Sequence, residues 1–143
     1  ASGKAEFRSR PLAEVYNIQA HAQHHQPILT LTTIRSHDQY NTTIYGLNDR
    51  YRGVYGQRRV LFINAEDLVS GGFHDGQHVD IESLAADGKR RVAKDFRLVS
   101  YDIPVGCIAA YYPETNVLVA LANHAEQART PASKAIPVIL HAH

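Results

Sequence analysis

At 143 residues the chain has the length of one ordinary domain, able to bury roughly two-thirds of the surface its unfolded form exposes. Fifteen basic residues against 14 acidic ones leave a formal charge of +1. That near balance excludes the marked basic excess of a dedicated nucleic-acid binder, yet leaves room for a small anion held by a few well-placed donors. The longest apolar runs fall far short of a bilayer span. Cys107 is the single cysteine, so an intramolecular disulfide is excluded and the thiol reads as a small buried hydrophobe.

In chain order, residues 1–26 form a polar, poorly patterned lead-in that is expected to wrap over the surface, and residues 27–143 form one domain of short strands. Pro27–Ile34, rich in Ile, Leu and Thr, predicts the first strand. Arg59–Ile63 predicts a second. Asn64 then suits a helix N-cap, with Glu66 and Asp67 in the first turn where the helix dipole favours acids, and Gly71-Gly72 ends that short helix. Asp75-Gly76 is a tight-turn pair, and after it Val79 and Ile81 alternate with His78, Asp80 and Glu82. Asp87-Gly88 makes a second turn, and Arg91–Val99 returns as the partner strand of a hairpin. Cys107–Tyr112 and Val117–Leu121 are two further short apolar runs, split by Pro113, and Ala135–His141 is the predicted last strand, Pro137 pushing it toward an edge or a bulge. The pattern is mostly β, a small barrel or sandwich, and periodicity alone leaves the two open.

Three segments carry candidate chemistry. Leu31–Gly46 runs from an apolar strand straight into Arg35, Ser36, His37, Asp38, Gln39, Tyr40, Asn41, Thr42 and Thr43. Such a junction offers donors and acceptors to a polar heterocycle, while an arginine meets an anion in fork geometry. Its bland alternative is a polar surface loop. Tyr111–Asn116 ends a strand with an aromatic pair and then an amide. Thr130–Lys134 places a lysine at the start of the last strand.

These segments, in this order, resemble the molybdopterin-dinucleotide-binding domain that ends the large subunits of formate dehydrogenases and related enzymes. The resemblance rests on Leu31-Thr-Thr-Ile-Arg35, Val60–Leu68, the turn Gly72–Gly76, Asp102–Asn116 and Thr130–Lys134, with Ser2–Phe7 like the family's lead-in. It implies a double-psi β-barrel, six-stranded with short helices and crossing loops. It also implies that a bound molybdopterin guanine dinucleotide, with molybdenum or tungsten held mainly by upstream domains, is clasped from this side. Carried across by position, Arg35 faces a phosphate or pterin oxygen, and Ser36, Gln39, Tyr40, Asn41 and Thr42 line the cofactor. Asn116 and Lys134 complete the clasp. No metal-ligating residue and no iron–sulfur cysteine set is present, so the resemblance makes the chain a cofactor-binding module of a larger oxidoreductase, without an active site of its own. The implied partners are upstream domains of the same polypeptide and the anionic cofactor, with neither membrane nor nucleic acid.

The start at Ala1-Ser2-Gly3-Lys4 and the lack of methionine fit a piece of a longer protein. A cytoplasmic location is the expectation, export of the parent staying compatible with it. Three rival readings stand beside this one. His21, His24, His25, His141 and His143 could serve a metal, with His21 and His25 at helical spacing. Ser36, His37 and Asp38 are the residue types of a hydrolytic triad, but adjacent residues do not generally form one. Arg50, Arg52, Arg58 and Arg59, interleaved with Tyr45, Tyr51 and Tyr55, could stack nucleic-acid bases. The favoured reading of that loop is packing against upstream domains.

Overall fold

A computed structural model of the chain describes residues 3–5, 26–41 and 44–143. The expected wrapping of the lead-in, and His21, His24 and His25, lie outside the described residues. Six strands and one helix follow in order: β1 (Leu29–Ile34), β2 (Val60–Ile63), α1 (Ala65–Ser70), β3 (His78–Ser83), β4 (Arg91–Ser100), β5 (Cys107–Tyr111) and β6 (Ile136–Ala142). They close into a barrel in the order β1-β5-β2-β4-β3-β6. Closure removes the free strand edges that would otherwise template aggregation. The expected six-stranded double-psi β-barrel is therefore the architecture observed, mostly β with few helices.

Apart from β3 and β4, strands adjacent in sequence are split apart in space. β5 lies between β1 and β2, parallel to β1 with Ile34 opposite Tyr111, and antiparallel to β2 with Leu61 opposite Ala110. β2 runs parallel to β4, and β6 runs antiparallel to both β1 and β3. The predicted hairpin is β3–β4, closed through the Asp87-Gly88 turn, where Gly88 takes a left-handed φ of 68°. α1 starts where expected: the Glu66 amide donates to Asn64 Oδ1 at 2.8 Å.

Period-two patterning explains most of the core. Leu29, Leu31, Leu61, Ile63, Val79, Ile81, Phe96, Leu98, Ile108, Val138 and Leu140 fill one large cluster. β2 breaks the alternation, all four of its residues being buried. Its Val60 and Phe62 belong to a second cluster with Val54 and Tyr111, so the long connection from β1 to β2 folds back and covers that flank. Phe62 meets the Tyr111 ring edge-on, centroids 5.6 Å apart.

Three local features depart from the sequence reading. The apolar run Val117–Leu121 forms no strand; Asn116–Leu118 is a 3-10 turn. Backbone bonds from Asn116 to Pro113 and from Leu118 to Thr115 replace ladder pairing, and the turn buries Leu118 while leaving Leu121 97% exposed. Pro137 does not mark an edge, because β6 is paired on both sides. It sits opposite Thr30, where pairing passes from β1 to β3, and its carbonyl accepts from the Leu84 amide. Cys107 is half-buried rather than fully buried. Among the described residues no helix is long and apolar enough to cross a membrane.

Candidate functional site

The register of the barrel gathers the three chemistry-bearing segments at one end. β1 and β5 are parallel, so the chain leaves both at the same rim. β6 is antiparallel to β1, so the segment entering it arrives there too. Direct bonds join them: the Tyr112 amide donates to the Ile34 carbonyl at 2.8 Å, and the Thr33 amide to the Ser133 carbonyl at 3.0 Å. Thr32 Oγ1 donates to the Lys134 carbonyl at 2.7 Å, and Lys134 Nζ donates to the Thr33 carbonyl.

The candidate residues separate into two groups. Ser36 and Gln39 are buried. Gln39 Oε1 accepts from the Ser36 amide at 3.2 Å, and its Nε2 donates to the Tyr112 carbonyl at 2.9 Å. Ser36 Oγ accepts from Arg58 at 2.7 Å. Arg35, Tyr40, Asn41 and Asn116 are exposed, Tyr40 to 84%. None of these four side chains bonds to another described residue. Thr42 lies outside the described residues. Lys134, tied to Thr33, ends the third segment at the same rim.

Two buried anchors hold this rim, and both come from the 44–59 loop. Asp49, 1% exposed, accepts on Oδ2 from the Tyr111 hydroxyl at 2.8 Å, from Arg52 at 2.5 Å and from the His37 amide at 3.3 Å. Its Oδ1 is buried with no partner among the described residues, so the carboxylate depends on its Oδ2 donors. Arg52 also donates to the Arg35 carbonyl at 3.2 Å, fixing the backbone beneath the exposed guanidinium. Burial pushes the Asp49 carboxyl upward, but the Tyr111 hydroxyl and Arg52 outweigh it and hold it below the usual carboxylate range. Burial and the neighbouring carboxylate push the Tyr111 hydroxyl well above its ordinary range, so it stays a donor. The second anchor is Arg58, only 4% exposed and ion-paired with Glu114 at 2.6 Å.

The sequence alone reads Arg58 as part of a loop that packs against upstream domains or stacks bases, and it singles out neither Asp49 nor Glu114. The one local hint was the apolar Val54 and the strand Val60–Ile63 on either side of a charged loop, which mark it as partly covered. Its exposed portion keeps an apolar character, with Ile44 59%, Leu47 57%, Tyr51 62% and Tyr55 64% accessible.

The rival readings gain no site among the described residues, which leave out His21, His24 and His25. Among the described residues no group of three or more His, Cys, Asp or Glu is placed to hold a metal. His141 and His143 instead pair with Glu82 at 3.0 Å and Asp80 at 3.1 Å. Ser36 Oγ is spent on Arg58, and His37 stacks on Tyr51 with centroids 3.6 Å apart, so no triad forms. Among the described residues the three segments offer the exposed guanidinium of Arg35, the amides of Asn41 and Asn116 and the phenol of Tyr40. Those donors suit an anionic, heterocyclic ligand bearing phosphates.

Comparison with known proteins agrees with this chemistry. The family model of the Molydopterin dinucleotide binding domain matches residues 29–137. An uncharacterized oxidoreductase of Mycobacterium tuberculosis is 51% identical over 98% of this chain, and the protein YdeP of Escherichia coli K12 is 41% identical over 97%. The chain spans only 18% of the length of either relative. Acetylene hydratase from Pelobacter acetylenicus superposes with a TM-score of 0.56 over 80% of this chain and 18% of its own, at 14% identity, a likeness of fold. The chain belongs to the Molydopterin dinucleotide binding domain family.

Proposed function

We propose that this chain is the cofactor-clasping barrel of a larger oxidoreductase of the formate dehydrogenase-like kind, and that its rim holds a molybdopterin guanine dinucleotide. The observation that carries the reading is the convergence, at one barrel end, of three segments, with the side chains of Arg35, Tyr40, Asn41 and Asn116 exposed and unspent while Ser36 and Gln39 are bonded beneath them. Arg35 would meet phosphate or pterin oxygen, and Tyr40, Asn41, Asn116 and Lys134 would surround it. Ser36 and Gln39 would act from beneath by holding the loop. The metal, molybdenum or tungsten, and its pterin would supply the redox chemistry when bound. This chain's residues bind, orient and balance charge, and none is assigned a proton-transfer or nucleophilic step. The exposed apolar side chains of Ile44, Leu47, Tyr51 and Tyr55 in the 44–59 loop suit packing against the remaining domains of the longer polypeptide.

A residue-resolved nuclear magnetic resonance titration with guanosine diphosphate, the accessible part of such a cofactor, tests the reading. Shifts localised at Arg35, Tyr40, Asn41, Asn116 and Lys134 are expected. Shifts confined to residues 50–59, or none up to millimolar ligand, overturn it.

A further inference from the structure

We infer that Arg58 is the positioning residue of this rim: a buried guanidinium that builds the ligand-facing loops into one unit before any ligand arrives. The inference rests on the cofactor-binding reading above for its purpose, and on the bonds of Arg58 for its substance. Nε donates to Glu114 Oε1 at 2.6 Å and Nη1 to Ser36 Oγ at 2.7 Å. Nη2 donates to Gln39 Oε1 at 2.9 Å and the Tyr112 carbonyl at 3.0 Å, with Glu114 Oε2 at 3.3 Å. The guanidinium carbon lies 4.0 Å from the Tyr45 ring centroid and 4.8 Å from that of Tyr111. One side chain, just ahead of β2, thus joins the loop that leaves β1 to the loop that leaves β5.

A buried cation is costly unless it is paired and its donors are satisfied, and both conditions hold here. The planar fork matters as much as the charge. Lysine would keep the ion pair with Glu114 but could not reach Ser36 and Gln39 in the same plane. Because its donors are spent, Arg58 is not left to bind an anion; the exposed Arg35 is. Arg58 acts through Ser36, Gln39 and Tyr112, holding the loops in the arrangement a ligand needs, so that binding does not have to order them.

Three variants of the 143-residue chain separate positioning from simple stability: R58K, R58M, and R58M combined with E114Q. R58M strands the Glu114 carboxylate and lowers the melting temperature. Adding E114Q removes that stranded charge and restores much of the lost stability, because neutral pairs replace buried ion pairs at little cost. The rim is not restored. Hydrogen exchange at the Ser36 and Tyr112 amides is expected to stay fast in R58K and in the double variant, while barrel amides such as that of Ile81 stay protected. Affinity for guanosine diphosphate is expected to stay about tenfold weaker than in the parent chain. Parental rim protection and affinity in the double variant, recovered together with its melting temperature, would overturn the inference. So would parental values of both in R58K. If the unaltered chain binds no guanosine diphosphate but the variants still lose rim protection, the cofactor reading fails and the positioning role of Arg58 stands.

Discussion

Replacing Tyr111 by phenylalanine isolates one bond and leaves the packing in place. The ring keeps its edge contact with Phe62 and its place beside Arg58, and only the hydroxyl that donates to Asp49 Oδ2 at 2.8 Å is lost. A hydrogen bond to a charged group contributes about 1.5–3 kcal/mol. Asp49 keeps Arg52 and the His37 amide, so the lower part of that range, about 1.5–2 kcal/mol, is expected at neutral pH. For a domain of this size that lowers the melting temperature by about 3–8 °C. Calorimetric melts of parent and variant over a series of pH values provide the measurement.

The pH dependence follows from the depressed Asp49 carboxyl. A group held below its unfolded value stabilises the fold above that value, about 4 for aspartate, and loses the contribution as pH falls through the lower folded value. The Tyr111 hydroxyl is the largest of the influences that lower Asp49, so its removal lets the carboxyl rise toward the ordinary range. The stability gap between parent and variant is therefore full at neutral pH, begins to narrow below about pH 4, and closes only as pH falls through the parent's lower folded value, beneath which both proteins carry a neutral Asp49. A gap under about 0.5 kcal/mol at neutral pH, or one that widens in acid, would refute the argument.

The exposed Arg35 tests the ligand-facing side of the same loop. Arg35→Gln is expected to weaken guanosine diphosphate binding about tenfold by losing a charge-assisted bond, with calorimetry as the readout. Its melting temperature should stay within about 2 °C of the parent value, since the side chain bonds to no described residue; unchanged affinity would remove Arg35 from the site. Arg129 sits in the left-handed region at φ 54°. Arg129→Gly is expected to raise stability by about 0.5–1 kcal/mol, the relief of that conformation exceeding glycine's own entropic cost, and a denaturant midpoint that falls instead would contradict it.

Much of this molecule is local and therefore readable from its sequence. Asn64 caps α1 because its side chain reaches an amide two residues on, and Asp87-Gly88 turns the β3–β4 hairpin because glycine accepts a left-handed φ. The alternation around Val79 and Ile81 predicts which face is buried. The stretch from Arg35 to Asn41 is legible as a set of candidate residues, since an apolar strand running into dense donors is visible in one dimension, whereas Asn116 and Lys134 are candidates only through the family resemblance. Other features depend on partners far away in the chain. Nothing near residue 117 says that Leu118 turns into the core and leaves no strand there. Nothing near residue 58 distinguishes an arginine in solvent from one that ties Ser36, Gln39, Tyr112 and Glu114 together. Burial of a charge is decided by whether counter-charge and acceptors meet it from segments 19 to 56 residues away. The order β1-β5-β2-β4-β3-β6 is likewise a property of closure, and it is closure that brings the three segments to one rim.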